Sequence, residues 1–186
     1  MVYNIAQCEN IPEEKIPALT MSSSSPVLAS RRIIKSMPQK PEVKHEQEQT
    51  YYHPLADFVN IPALKDFPDG ESYFSALIRQ LVHSTGHVSR LNRKELMEMK
   101  QVDALQPFSL EELVGDIASS FLNSYVGIKE PEGDQAKDIE GWLTKLKEDR
   151  RFIVFASTQA QKAVDFILNT KYTEKEETAP EEKATV

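Results

Sequence analysis

A single cysteine, Cys8, occurs in 186 residues, so the chain cannot form an internal disulfide. Apolar runs approaching the roughly 20 residues needed to cross a bilayer are absent. The first residues, MVYNIAQCEN, show neither a basic stretch followed by an apolar one nor a small-residue cleavage site. No export signal is therefore visible, and a cytoplasmic location away from membranes is expected. Positive charge is in deficit: 22 Lys and Arg stand against 29 Asp and Glu, a formal net charge of -7. Wrapping nucleic acid takes clustered cations that displace counterions from phosphates, so direct nucleic-acid binding is not expected from this chain alone. Two small basic groups exist, Arg31, Arg32 and Lys35, then Arg90, Arg93 and Lys94, with Arg93 taken as exposed. The acidity also suits DNA mimicry, but much of it lies in the end segment TEKEETAPEEKATV, whose composition predicts disorder.

What the chain does have is enough apolar residues, 40%, for one domain-sized core. Residues 1–41 read as an extended arm with a strand-like start, Val2 to Ala6, and a short helix, Val27 to Met37, capped by Ser25 and Pro26 and stopped by Pro38. Residues 42–170 read as the domain, and residues 171–186 as an acidic tail without fixed structure. Within the domain, Glu42 to Asn60 carries Val43, Tyr51, Tyr52, Phe58 and Val59 between prolines, which suits two or three short antiparallel strands. Helical spacing begins at Glu71 with Phe74, Leu77, Ile78, Leu81 and Val82 on one side, and Gly86 is expected to end that helix. A second helix runs from Ser109 to about Tyr125 with Leu110, Leu113, Val114, Ile117, Phe121 and Leu122 as its buried stripe. A third, capped by Asp134, passes through Trp142 to Leu146, with Trp142 in the core. A fourth spans Phe152 to Leu168 and buries Phe152, Phe155, Ala156, Ala163 and Ile167. The fold class is α+β: a small antiparallel sheet packed with several helices.

The chemistry-bearing segment is RQLVHSTGH, residues 79–87. A zincin places two imidazoles four residues apart on one helix to hold a zinc, with a glutamate after the first to activate the bound water. Aligned on His83 as the second imidazole, that pattern has Arg79 and Gln80 in its first two positions. Arginine stays protonated and offers no lone pair to a metal, and glutamine takes no proton from water at neutral pH. Losing such a base typically removes a factor of about 10² to 10⁴ in rate.

The run Tyr51-Tyr52-His53-Pro54, Asp57 to Pro62, Glu71 to Phe74, His83-Ser84-Thr85-Gly86-His87, Ser89-Arg90-Leu91 and Glu111-Glu112-Leu113-Val114 resembles the zincin-like metallopeptidase domain of ArdC-type antirestriction proteins. Gly141-Trp142-Leu143, Asp149 and Ala160 to Ala163 are similar to that family too, so the resemblance covers about residues 42–168. Val2 to Gln7 resembles the segment after the family's separate single-stranded-DNA-binding domain. That domain is not expected here, so its DNA binding is not carried over. The resemblance implies a zincin-like fold, with the family's metal held by imidazoles at positions 79 and 83 and an acidic group from the second helix, Glu112 or Asp116. It also implies that the Arg79 guanidinium projects into the metal's place, facing both carboxylates.

Each residue has a structural alternative. Glu112 lies three residues after Ser109, the capping-box spacing. Arg79, Gln80 and His83 fit the wet side of an amphipathic helix. His87 fits a loop residue bonded to backbone, His53 either the cleft or a turn before Pro54, and His45 an exposed position. A remnant metal site of His83, His87 and Glu112 or Asp116 is the competing reading, although Arg79 would oppose a dication there. The leading expectation is a degenerate metallopeptidase domain from a mobile element, with no intact catalytic residue and no cofactor, that binds a protein or peptide partner in its cleft. The rivals are a working zinc peptidase with rearranged ligands and an accessory subunit of a separately encoded single-stranded-DNA-binding domain.

Overall fold

The computed structural model describes residues 25–97, 109–129 and 135–170. The strand-like start, the Asp134 cap and the acidic tail lie outside these residues. The described elements are α1 (Pro26–Ser36), β1 (Glu42–Lys44), β2 (Tyr51–His53), β3 (Phe58–Asn60), α2 (Gly70–Ser84), the single turn α3 (Lys94–Met97), α4 (Leu110–Val126), α5 (Gln135–Glu148) and α6 (Arg151–Leu168). The class is α+β, as the sequence indicates.

Local chemistry sets the helix starts. Ser25 Oγ accepts from the Leu28 amide ahead of Pro26, Asp69 accepts from Ser72 N at 2.7 Å, and Ser109 Oγ accepts from Glu112 N at 3.2 Å. Helix α2 closes at Ser84 with Thr85 as its C-cap and Gly86 just beyond, although Gly86 is not left-handed. Gly86 serves close approach instead, since a Cβ there would stand 2.7 Å from Leu96 Cδ2 and 3.0 Å from Arg93 Cζ.

The expectation of an all-antiparallel sheet also needs correcting. The strand order is β1-β3-β2, with β2 antiparallel and β1 parallel to the central β3. The reason is a loop that hops over the end of β3 rather than turning back beside β1. Asn60, 1% exposed at the end of β3, organises that loop: its Oδ1 accepts from the Glu46 and Gln47 amides and its Nδ2 donates to the carbonyls of Gln47 and Gln49. One amide side chain thus satisfies four backbone groups that would otherwise be orphaned at a sheet end.

The core lies between the inner face of the sheet and α1, α2, α4 and α6. Val59 and Ile61 from the strand side meet Ile78, Leu81 and Val82 of α2 and Val114, Ala118 and Leu122 of α4. Helix α1 buries Ile33 and Ile34 in the same core. The most extensive helix contact is between α4 and α6, where Ala156, Ala160 and Ala163 let the backbones approach. Phe121 and Phe155, expected in the buried stripes, are 53% and 47% exposed. The apolar arc of each helix is wider than the arc its neighbours cover. Trp142 is likewise only half-buried.

Candidate functional site

Arg79 and His83 lie four residues apart on α2, one turn of helix, and so project to the same side. Glu112 and Asp116 bear the same relation on α4, which packs against α2. The Arg79 guanidinium sits between the two carboxylates: Nη2 donates to Glu112 Oε2 at 2.8 Å and Nη1 donates to Asp116 Oδ1. The other oxygen of Asp116 accepts from the Trp142 indole at 3.0 Å, so α5 reaches the site through the chain's single tryptophan. The side chain of Arg79 is 30% exposed, neither a solvated face nor a sealed core. Burial works against its charge, and the two carboxylates outweigh burial and hold the guanidinium firmly protonated.

His83 is 2% exposed. Its Nδ1 lies 2.9 Å from Glu111 Oε1, and Glu111 is in turn gripped by Arg93 through Nε at 2.8 Å and Nη2 at 2.6 Å. Burial alone would raise the Glu111 pKa, but the hydrogen bonds from Arg93 and His83 outweigh it and hold the carboxyl below its ordinary range. An ionised Glu111 can only accept, so His83 carries a proton on Nδ1, and in its neutral form Nε2 is the bare nitrogen. That edge of the ring lies against α4 at Gly115, where a Cβ would come within 2.8 Å of Nε2.

Beside this cluster opens a cleft of about 230 Å³. Thr50, Tyr51 and Tyr52 line it on the β2 side, Arg79, Gln80 and His83 on α2, and Glu112 on α4. The structure therefore brings Arg79, Gln80, His83 and Glu112 together, with Asp116 behind the guanidinium. It does not bring His87 or His53 to them. His87 Nδ1 is hydrogen-bonded with Ser89 Oγ at 2.8 Å and lies 3.8 Å from Asp57. His53 accepts from the Ala56 amide and stacks on Phe58 at 5.2 Å. His45 is exposed, its Nδ1 at 2.8 Å from the Ile61 carbonyl. The capping-box alternative for Glu112 is half realised: Ser109 caps the helix, but the Glu112 carboxylate turns to Arg79.

Three participants escaped the sequence. Arg93, taken as exposed, is 3% exposed and bound on every side, because the loop after α2 folds inward over Gly86. Glu111 stands on the same helical arc as Val114, Ala118 and Leu122, and an acidic residue in a buried stripe was the available signal. For Trp142 bonding Asp116 no such local signal exists.

The family model for zincin-like metallopeptidases matches residues 32–159. Among curated proteins, a DNA primase TraC of Escherichia coli is 32% identical over 127 residues, which is 68% of this chain but 12% of the primase. The uncharacterized protein y4eC of Sinorhizobium fredii is 25% identical over 167 residues, covering 89% of this chain and 52% of y4eC. The crystal structure of the antirestriction protein ArdC from plasmid R388, in its Mn(II)-bound form, superposes with a TM-score of 0.67 at 27% identity over 90% of this chain and 60% of ArdC. Its metal-free form gives a TM-score of 0.64. The chain thus spans only part of the length of each of these relatives.

As they stand, the side chains of this constellation leave neither Glu112 nor Asp116 unpaired for a divalent cation. The guanidinium of Arg79 already engages both carboxylates, and a dication would meet its fixed charge. Among the described residues no group of three or more His, Cys, Asp or Glu side chains is placed to hold a metal. With the matched span and the fold in agreement, this chain belongs to the zincin-like metallopeptidase family, with an ArdC-like domain.

Proposed function

We propose that this domain binds an extended protein or peptide segment without hydrolysing it, in the antirestriction setting of its ArdC relative. The observation that carries the reading is the placement of Arg79 between Glu112 and Asp116, a permanent cation where a metallopeptidase needs an electrophilic metal. Gln80, beside it in the cleft, supplies no general base. The groove itself remains: β2 is an edge strand of the described sheet and lines the cleft, so an extended segment has a strand to pair with. Arginine here takes over the electrostatic task of the metal, neutralising two carboxylates that would otherwise repel. The same reading places the protein in the cytoplasm with a mobile element. No helix among the described residues is long and apolar enough to cross a membrane.

The test combines metal binding with proteolysis. Wild-type protein is expected to show no Mn(II)- or Zn(II)-dependent rise in melting temperature and no cleavage of fluorescein-labelled casein. Arg79→Ala is expected to lose about 2–3 kcal/mol, less than the roughly 3–5 kcal/mol of a fully buried pair because part of the side chain is wet. It is also expected to gain a cation-dependent rise in melting temperature, since a dication can then bridge the freed carboxylates. Arg151→Ala, whose side chain is 91% exposed, serves as the control. Stoichiometric zinc in the wild type that disappears in His83→Ala would overturn the reading in favour of a working peptidase with rearranged ligands.

A further inference from the structure

Beyond the Arg79 site, two more arginines are shut away from solvent, and both come from the strap of residues 85–93 that follows α2. The strap closes on itself through Leu91 N to Thr85 O and Arg93 N to Gly86 O, each 2.9 Å. Arg90, its side chain 1% exposed, points to the sheet side and engages all five of its N–H donors. Nε donates to Ser84 O at 2.7 Å. Nη1 donates to Gln39 O and Asp57 Oδ2, and Nη2 to the Tyr52 hydroxyl and Asp57 Oδ1. Gln39 and Asp57 both have left-handed backbone, φ 47° and 51°, a region uncommon for non-glycine residues as a whole, and one guanidinium bonds to both. The Tyr52 hydroxyl donates in turn to Asp57 at 2.7 Å. Arg93 points the opposite way, to Thr85 Oγ1 at 2.7 Å, to the Val82 carbonyl and to Glu111, which holds His83.

Tyr52 is on the strand wall of the cleft, and His83 is on the helix wall. We propose that the strap is the positioning device of this cleft, with Arg90 fixing the strand wall through Tyr52 and Asp57 and Arg93 fixing the helix wall through Glu111 and His83. Buried ion pairs contribute little to net stability compared with apolar packing. Two of them, sent to opposite walls from one short loop, define a separation instead. The planar fork of arginine is what spans several acceptors at once, and lysine, a point charge on a flexible stem, cannot reproduce it. The purpose of the device rests on the cleft being the binding groove, but its geometry can be measured without any ligand.

The experiment is a distance measurement by double electron–electron resonance in the full chain carrying Cys8→Ser. Spin labels go at Leu55→Cys, 68% exposed in the β2–β3 turn, and at Ser124→Cys on the exposed face of α4. The labelled parent is expected to give one narrow distribution. Arg90→Lys and Arg93→Lys are expected to broaden and shift it well below their melting temperatures, whereas exposed Arg151→Lys leaves it unchanged. Tyr52→Phe keeps the ring and removes only the hydroxyl, so a smaller broadening is expected there, and it decides the strand-wall arm even where a lysine variant fails to fold. Distributions that stay the same while the melting temperature falls would show that these arginines only stabilise the fold and would overturn the proposal. Because no ligand enters, absence of peptide binding leaves this result standing, and the two ideas fail separately.

Discussion

His83 and Gly115 show how tightly single residues are matched across the α2–α4 contact. Glycine inside a helix costs about 1 kcal/mol relative to alanine, so Gly115→Ala would ordinarily stabilise α4. Here a Cβ would stand 2.6 Å from His83 Cε1, and the ring cannot swing away while its Nδ1 is held on Glu111. Overpacking of that kind costs roughly 1–3 kcal/mol, so Gly115→Ala is expected to lower the melting temperature despite its better helix propensity. Urea unfolding of the variant checks this, and a neutral or stabilised protein would show that the imidazole is free to move. The identity of the residues at 79, 80 and 83 was legible in the sequence because spacing on one helix is a local property. Their partners were less so. Nothing along the chain says that Arg93 turns inward while Lys94 beside it stays exposed. Such a choice depends on which carboxylate folding brings within reach.

At the scale of elements, the helices were the legible part. Their stripes recur at the helical period, and Ser25, Asp69 and Ser109 each satisfy amide donors that the first turn leaves open. The strands were legible as strands but not in their pairing. Three-residue strands carry too little alternation to specify neighbours, and the parallel β1–β3 pairing depends on the loop that Asn60 anchors. Asn60→Ala removes four hydrogen bonds made by a buried side chain, each contributing about 0.5–1.5 kcal/mol. A loss of at least about 2 kcal/mol is expected. Hydrogen exchange should quicken at residues 42–50 more than in α4, and uniform protection across the sheet would remove Asn60 from this role.

Across the whole molecule, carboxylates held by arginines tie the helices to the sheet. Glu111 and Asp57 are both depressed below their ordinary values of 4.5 and 3.8, for the same reason: burial works against the charge, and hydrogen bonds from arginine, joined by His83 and Tyr52 respectively, outweigh it. A carboxyl depressed in the folded state contributes stability above its unfolded pKa and loses it as the pH falls through the folded one. The melting temperature is therefore expected to be level from pH 7 to about 5 and to fall steeply below about 4.5. Glu111→Gln should start lower at pH 7, with Arg93 unpaired, and fall less on acidification. A wild-type curve that stays flat to pH 3 would contradict this linkage.

By itself the sequence determined the helical frame and the α+β class, while the assignment of Arg79 and Gln80 to two metallopeptidase positions is what its family resemblance implies. The frame and class follow from period and caps, which neighbouring residues express. The family resemblance had the guanidinium facing Glu112 and Asp116, but only the tertiary structure decided that it bonds both, that Trp142 completes Asp116, and that Arg90 and Arg93 reach opposite walls of one cleft. The physical reason is that a charge finds its partner through space. Asp116 lies 37 residues from Arg79, Trp142 lies 26 from Asp116, and packing of α2 on α4 closes those separations.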